Sequence, residues 1–293
     1  MKSTLDNISS KSVYNYFYAS IKDHYSEEEA RSITFIILED ILGIKKTEVL
    51  ADKETGLSEK DYQKTVRPYL VKLKKHTPVQ HITGKSHFYG LELKVNNSVL
   101  IPRPETEELV DLILGESSNV KGNKVLDLCT GSGCIAIALK KYLTNTEISA
   151  LDISSAALQI AKENAKLNNV DIDFIKADLL NPNFKWEESS YWIVVSNPPY
   201  VMLSEQQLMQ PNVLNHEPWS ALFVDDADPL LFYKIIAKGA AQCLKKGGRL
   251  YFEINERFGE AVKDLLLALD FKKVTVVKDL NGKDRIVKAL VNK

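Results

Sequence analysis

Over residues 1–75 apolar side chains recur in steps of three and four: Val13, Tyr16, Phe17 and Ile21, then Ile33, Ile36, Ile37 and Ile41. That is the period of amphipathic helices sharing one core. Ser26-Glu27-Glu28-Glu29 reads as a capping box opening the second helix, and Gly43 as its stop. A further helix is predicted over 58–75. With only Gly43, Gly56 and Pro68 as breakers, the segment reads as a small helical bundle. The pattern changes over 76–100, where Pro78, Gly84 and Gly90 punctuate short β-like runs at 87–89 and 91–95, predicting a β-hairpin linker. From about residue 105 strand and helix patterns alternate. Strands are predicted at 124–128, 147–151, 171–175, 191–196, 249–254, 272–277 and 285–291, with helices at 133–142, 154–167 and 228–244. Seven strands with intervening helices predict an α/β domain over 101–293 with a largely parallel, doubly wound sheet. Asp279-Leu280-Asn281-Gly282 is a turn signal that predicts an antiparallel pairing of the last two strands.

Composition narrows the class. The chain has 293 residues, 44% hydrophobic and 26% charged, with 38 Lys+Arg against 39 Asp+Glu and a formal net charge of −1. Residues 1–80 hold 13 basic and 12 acidic side chains, so no part of the bundle is a strongly basic arm, and direct sequence-specific nucleic-acid binding is not expected. The start, Met1 to Asn7, lacks the apolar core of a signal peptide, and no apolar run approaches the roughly 18 residues of a membrane span. Three cysteines, Cys129, Cys134 and Cys243, make no disulfide framework. These features predict a cytoplasmic protein without membrane contact. The five histidines and three cysteines show no metal-ligand spacing, so no metal is expected.

Residues 125–136 run from an apolar strand through a small-residue turn, Cys129-Thr130-Gly131-Ser132-Gly133, into a helix. The two glycines allow a tight turn and close backbone approach to a ligand. Nineteen residues after Gly133, Asp152 ends the next strand, where a carboxylate can accept hydrogen bonds from both ribose hydroxyls of a nucleoside. The loop alone fits NAD, FAD or S-adenosylmethionine. Asp127 leans away from a pyrophosphate, which it would repel, and toward the ammonium of a methionine moiety, attracted directly or through water. Asp178, after the third strand, is placed to read an adenine amino group.

The strand pattern 191–196 ends abruptly in Asn197-Pro198-Pro199-Tyr200. Beyond the carboxyl end of a parallel strand, this tetrad lands beside the glycine loop. Prolines donate no backbone hydrogen bond. The Pro198 carbonyl and the Asn197 side-chain oxygen are thus left to accept the two hydrogens of a planar NH2 group, with Tyr200 as an aromatic face. Such a group is a poor nucleophile, because its lone pair is delocalised. Holding both N–H bonds aligns it with an electrophilic methyl and stabilises the positive charge that grows on nitrogen.

With these motifs the chain resembles the HemK/PrmC family of release-factor glutamine N5-methyltransferases. The resemblance runs through 81–84, 87–90, Leu100-Ile-Pro-Arg-Pro-Glu-Thr-Glu107, 127–133, Asp152, 196–200, His216-Glu217-Pro218 and 279–285. It implies a seven-stranded Rossmann-like class I methyltransferase domain. It implies S-adenosylmethionine held by Cys129, Thr130, Gly131, Ser132, Gly133, Asp152, Asp178, Leu179 and Asn197. It implies a glutamine amide held by Asn197, Pro198, Pro199 and Tyr200, with Asn197, Pro198 and Tyr200 as the catalytic set. The implied partner is a peptide chain release factor, recognised through its Gly-Gly-Gln motif with help from the helical domain. Two departures stand out. Cys129 replaces a usual glycine, which is tolerable at negative φ. Asn255 follows Glu253-Ile254 where the family has glycine, for which only a local turn change is expected.

Other readings compete. A nucleic-acid adenine or cytosine N-methyltransferase shares the tetrad, a nicotinamide-dependent dehydrogenase is permitted by the glycine loop alone, and a binding module without turnover would keep the pocket. Arg103 and Glu105 are read either as lining the cofactor's exit or holding the tetrad's loop, or as a structural ion pair. Glu217 either faces substrate or closes a turn.

Overall fold

Short polar side chains placed just ahead of the apolar-periodic runs set the helix starts of the N-terminal region. In a computed structural model describing residues 7–117 and 123–292, Ser9 Oγ accepts from the Ser12 amide and opens Ser10–Ile21. Ser26 caps Glu27–Leu42 through the Glu29 amide, and that helix ends at Gly43 with φ 68°. Ser58 caps Glu59–Leu73 through the Asp61 amide. Each cap satisfies an amide that the helix itself leaves unpaired. Of the start read for signal character, Met1 to Asn7, all but Asn7 lies outside the described residues.

The described chain divides into two compact units. The first comprises the described residues up to Gly84 together with Gln210–His216. Its core is Val13, Phe17, Ile21, Ile33, Ile37, Tyr62, Val66, Leu70 and Leu73, side chains from three helices meeting on the apolar faces read from the sequence. Burying each large side chain contributes about 1.5–3 kcal/mol. The short helix Val79–Thr83 adds Val79 and Ile82 to this same core.

The second unit takes Lys85–Met209 and the chain from Glu217 onward. The hairpin Lys85–Phe88/Leu91–Lys94 turns through Tyr89 (φ 49°) and Gly90 (φ 74°). Two consecutive positive φ values match the right-handed twist of a two-residue hairpin. Its inward residues Phe88, Leu91 and Leu93 pack with Leu109, Ile135, Ile193 and Tyr251. The segment 76–100, read as one linker, is therefore divided at Gly84/Lys85: its helix belongs to one core and its hairpin to the other.

The main sheet has seven strands, numbered here in chain order: β1 Lys124–Leu128, β2 Glu147–Asp152, β3 Asp173–Lys176, β4 Tyr191–Ser196, β5 Leu244–Glu253, β6 Lys272–Lys278 and β7 Asp284–Leu290. Their spatial order is β6-β7-β5-β4-β1-β2-β3. β1 to β5 are parallel, and β7 runs antiparallel between β5 and β6. The order reverses at β1, which has β2 on one side and β4 on the other, and a crevice opens at such a point beyond the carboxyl ends. Leu128 pairs with Ser196, so β1 and β4 end level, and Ser196 Oγ donates to the Leu128 carbonyl at 2.7 Å. Among the described residues no helix is long and apolar enough to cross a membrane.

Candidate active site

Beyond the ends of β1, β2 and β4 lies a cavity of about 330 Å³, inside the roughly 300–1,000 Å³ of small-molecule sites. Cys129, Thr130, Gly131, Ser132, Asp152, Asp178, Leu179, Asn197 and Pro199 all line it. Gly133, Pro198 and Tyr200 are not among its lining residues. Gly133, at φ 80°, instead packs against the following helices: a Cβ there would come within 3.1 Å of Ala161 Cβ and Ile137 Cδ1. Gly131, at φ 55°, has open space where its Cβ would stand.

The loop is tied down from several sides. The Thr130 amide donates to the Leu151 carbonyl at 3.0 Å. Asp152 accepts the Gly131 amide on Oδ2 and the Ser154 amide on Oδ1, each at 2.8 Å. Each oxygen keeps a further lone pair toward a ligand. Burial pushes the Asp152 carboxyl up, and these amides partly offset the rise. Asn164, fully buried on helix Ser155–Leu167, bridges the loop to the hairpin. Its Nδ2 donates to the Ser132 and Lys94 carbonyls at 2.9 and 3.0 Å, and its Oδ1 accepts the Lys94 amide at 2.6 Å. Helical periodicity counts Asn164 as one polar residue among many, and nothing local marks it.

Asp127 does not line the cavity, so the expected attraction of a ligand ammonium has no direct route. It is fully buried, accepts the Thr130 hydroxyl on Oδ2 at 2.6 Å and leaves Oδ1 without a formed hydrogen bond. Burial raises its pKa to about 7, against the lowering pull of the Thr130 hydroxyl and the nearby Ala136 amide. Asp178 spends Oδ1 on the Leu180 amide at 2.8 Å, the turn-forming habit of aspartate. Cys129 has φ 60°, so the condition of negative φ is not met. A non-glycine residue in the left-handed region costs about 1–2 kcal/mol, strain held at the head of the loop.

The tetrad is braced by Thr106, which itself lines the cavity, and by Glu253, which does not. Asn197 Nδ2 donates to Thr106 Oγ1 at 3.3 Å, and the Thr106 hydroxyl donates to Glu253 Oε2 at 2.6 Å. The Tyr200 hydroxyl donates to Glu253 Oε1 at 3.2 Å. Burial pushes the Glu253 carboxyl up, while the Thr106 hydrogen bond and the Arg285 charge pull it down. Tyr200 is likewise raised, chiefly by burial and next by the Glu253 charge. Asn255 does more than alter a turn: its Nδ2 donates to the Tyr200 carbonyl at 3.3 Å and to Glu205 Oε2 at 3.1 Å, bonds a glycine cannot make. Arg103 pairs with Glu217 at 2.5 Å, and Glu217 also accepts the Ile101 amide at 3.2 Å. Arg103 lines the cavity, whereas Glu217 is buried as the anchor of the proline-arginine segment. The ion pair that the sequence offers Arg103 with Glu105 is made with Glu217 instead. Among the described residues no cluster of three or more His, Cys, Asp or Glu is arranged to hold a metal.

Comparison with known proteins adds to this geometry. The family described as methyltransferase small domain matches residues 107–216, and the PrmC N-terminal domain matches 12–84. A release factor glutamine methyltransferase of Flavobacterium psychrophilum is 41% identical over 281 residues, covering 95% of this chain and 98% of its own. One from Bacteroides thetaiotaomicron is 40% identical over 274 residues, covering 94% and 97%. A solved methyltransferase structure from Pyrococcus furiosus, at 14% identity, aligns with a TM-score of 0.51 over 78% of this chain and 100% of that one, a likeness of fold.

Proposed function

The chain belongs to the release factor glutamine methyltransferase family, and on that footing we propose that it transfers a methyl group from S-adenosylmethionine to the side-chain amide nitrogen of the glutamine in the Gly-Gly-Gln motif of a peptide chain release factor. The observation that carries this reading is that one cavity holds both the glycine loop with Asp152 and the tetrad's Asn197 and Pro199. A nucleoside and an amide can thus meet there.

The residues present fit the cofactor. Gly131 leaves open space for close approach, Asp152 has spare acceptors for ribose hydroxyls, and Leu151, Leu179 and Phe232 offer apolar walls to a purine. Bound there, S-adenosylmethionine supplies an electrophilic methyl group on sulfur. The chain's own task is to hold the amide. Asn197 Oδ1, on a residue that lines the cavity, accepts one N–H; the Pro198 carbonyl, on the residue between the lining Asn197 and Pro199, is assigned the other, and neither accepts a hydrogen bond among the described residues. Accepting both fixes the rotation of the amide and stabilises charge growing on nitrogen, the larger effect in a water-poor site. The carboxylates tied to the tetrad by hydrogen bonds are engaged, Glu253 by Thr106 and Tyr200, and Glu205 by Asn255, the Met202 amide and Arg257. A methylated amide nitrogen sheds its proton readily, so a dedicated base is not required.

The helical unit, charge-balanced by sequence, is assigned to recognising the release factor, and the protein to the cytoplasm. Incubation with labelled S-adenosylmethionine and a class I release factor, followed by mass analysis of the Gly-Gly-Gln peptide, tests the proposal. The peptide is expected to gain one methyl group on glutamine. Label that appears only on DNA or RNA, with a known enzyme active in parallel, would overturn it.

A further inference from the structure

The proposed reaction needs the Asn197 side chain to turn its oxygen, not its NH2, toward the substrate. An asparagine amide is nearly symmetric in shape, and a half-turn about its last bond exchanges the two ends. What surrounds the side chain must therefore choose.

The surroundings form a directed chain. Glu253, as a carboxylate, offers only acceptors. The hydroxyls of Thr106 (2.6 Å) and Tyr200 (3.2 Å) must both point their hydrogens at it. Thr106 has one hydrogen, and once that is given to Glu253 only lone pairs remain toward Asn197. A lone pair accepts from the amide NH2, as the 3.3 Å contact from Asn197 Nδ2 shows. The flipped side chain would set oxygen against oxygen and lose this bond. We infer that Thr106 and Glu253 are positioning residues that orient the Asn197 amide with Oδ1 toward the cavity, an inference resting on the reading of Asn197 as acceptor for the glutamine N–H.

The placement supports this. Thr106 stands in the first turn of helix Pro104–Glu116, and Glu253 is the last residue of β5, which pairs with the strand that runs into Asn197. Both side chains are almost wholly buried. Glu253 is held at its main chain too, where its carbonyl accepts the Tyr233 hydroxyl at 3.2 Å. A buried carboxylate is costly, and an apolar pair of similar volume fills such space at less cost. Setting the direction of a hydrogen-bond chain is something an apolar pair cannot do.

Thr106→Val removes the hydroxyl at nearly constant shape. Glu253→Gln keeps the shape but brings an NH2 able to donate to Thr106, freeing the threonine hydrogen to bind Asn197 Oδ1 and turn the amide over. Each is expected to lower kcat for glutamine methylation about 10²-fold, the size of losing one preorganised contact. Cofactor Kd by calorimetry should change less than about threefold, below the effect of one lost hydrogen bond. Thr106→Ser restores the hydrogen and is expected to recover most of the turnover. A purely structural role predicts a lower melting midpoint with kcat per folded molecule unchanged. Should Thr106→Val fail to fold, Glu253→Gln with Thr106→Ser carries the same comparison. The inference is overturned if the folded Val and Gln variants turn over like wild type, or if Ser does no better than Val. Wild-type enzyme that leaves glutamine unmethylated would instead refute the functional reading, and this inference with it.

Discussion

Replacing Asn164 by alanine tests whether the cofactor loop is held by the hairpin or stands by itself. The substitution removes three hydrogen bonds of 2.6, 2.9 and 3.0 Å and strands the Ser132 carbonyl and both main-chain groups of Lys94. A typical bond contributes about 1 kcal/mol net, and a buried group left without a partner costs about 1–3 kcal/mol. The two Lys94 bonds are only part-buried, so water can replace them, at about 1 kcal/mol each. The Ser132 bond is buried, so its loss counts nearer 2 kcal/mol. The sum is about 4 kcal/mol, roughly a 10 °C fall in melting midpoint for a unit of this size. Asn164→Asp has nearly the same shape, keeps the acceptor for the Lys94 amide, and turns lone pairs toward the two carbonyls. It also buries a charge. At pH 8 it should therefore be less stable than the alanine variant. Urea unfolding of wild type and both variants without cofactor decides the matter. A cost below about 1 kcal/mol for alanine, or aspartate more stable than alanine, would refute the claim that this amide ties loop to hairpin.

Four further outcomes are expected. Asn197→Ala should cut kcat about 10²-fold or more with little change in cofactor Kd. Asp152→Ala should do the reverse, weakening the cofactor by about tenfold or more as charge-assisted bonds are lost, and calorimetry beside steady-state kinetics separates the two. Asp127 has a folded pKa of about 7 against an ordinary 3.8. In the folded chain it is neutral below about 7, so the stability this carries is complete below the ordinary value and is lost as pH rises through about 7. Wild type should thus lose up to about 4 kcal/mol relative to Asp127→Asn between pH 4 and 8, and urea unfolding across that range would show parallel curves if the argument were wrong. Gly239→Ala would place a Cβ 2.0 Å from Trp186 Cε2. It should lower stability by about 1–3 kcal/mol, visible as a lower melting midpoint with altered tryptophan fluorescence.

The parts legible in the sequence are those whose physics is local. The cap at Ser26, the stop at Gly43, the helix begun near Ser58, the seven strands and most helices of the second unit lie within a few residues of where local patterns put them. One strand start drifted: β5 begins at Leu244, ahead of Gly247-Gly248, where the hydrophobic pattern begins it at 249. Within 76–100 the hairpin was legible, but not that a short helix and a hairpin adjacent in sequence bury their apolar faces in different cores. At Cys129 the sequence misled. Its residue type argues for negative φ, yet the loop holds it at +60°, since its neighbours over-determine the turn.

The amino-acid sequence by itself determined the α/β class, the glycine loop with Asp152, and the tetrad after β4, because each is encoded by neighbours along the chain and by the rule that parallel strands present ligands at their carboxyl ends. Tertiary structure alone decided which of those residues face the cavity, leaving Gly133, Pro198 and Tyr200 outside its lining. It also decided what holds the rest in place. Thr106 meets Glu253 across 147 positions and Asn197 across 91, and Asn164 meets Lys94 across 70. A hydrogen bond is specified by a distance of about 3 Å and an angle, and at such separations only the packing of the strand ends brings the partners within that reach.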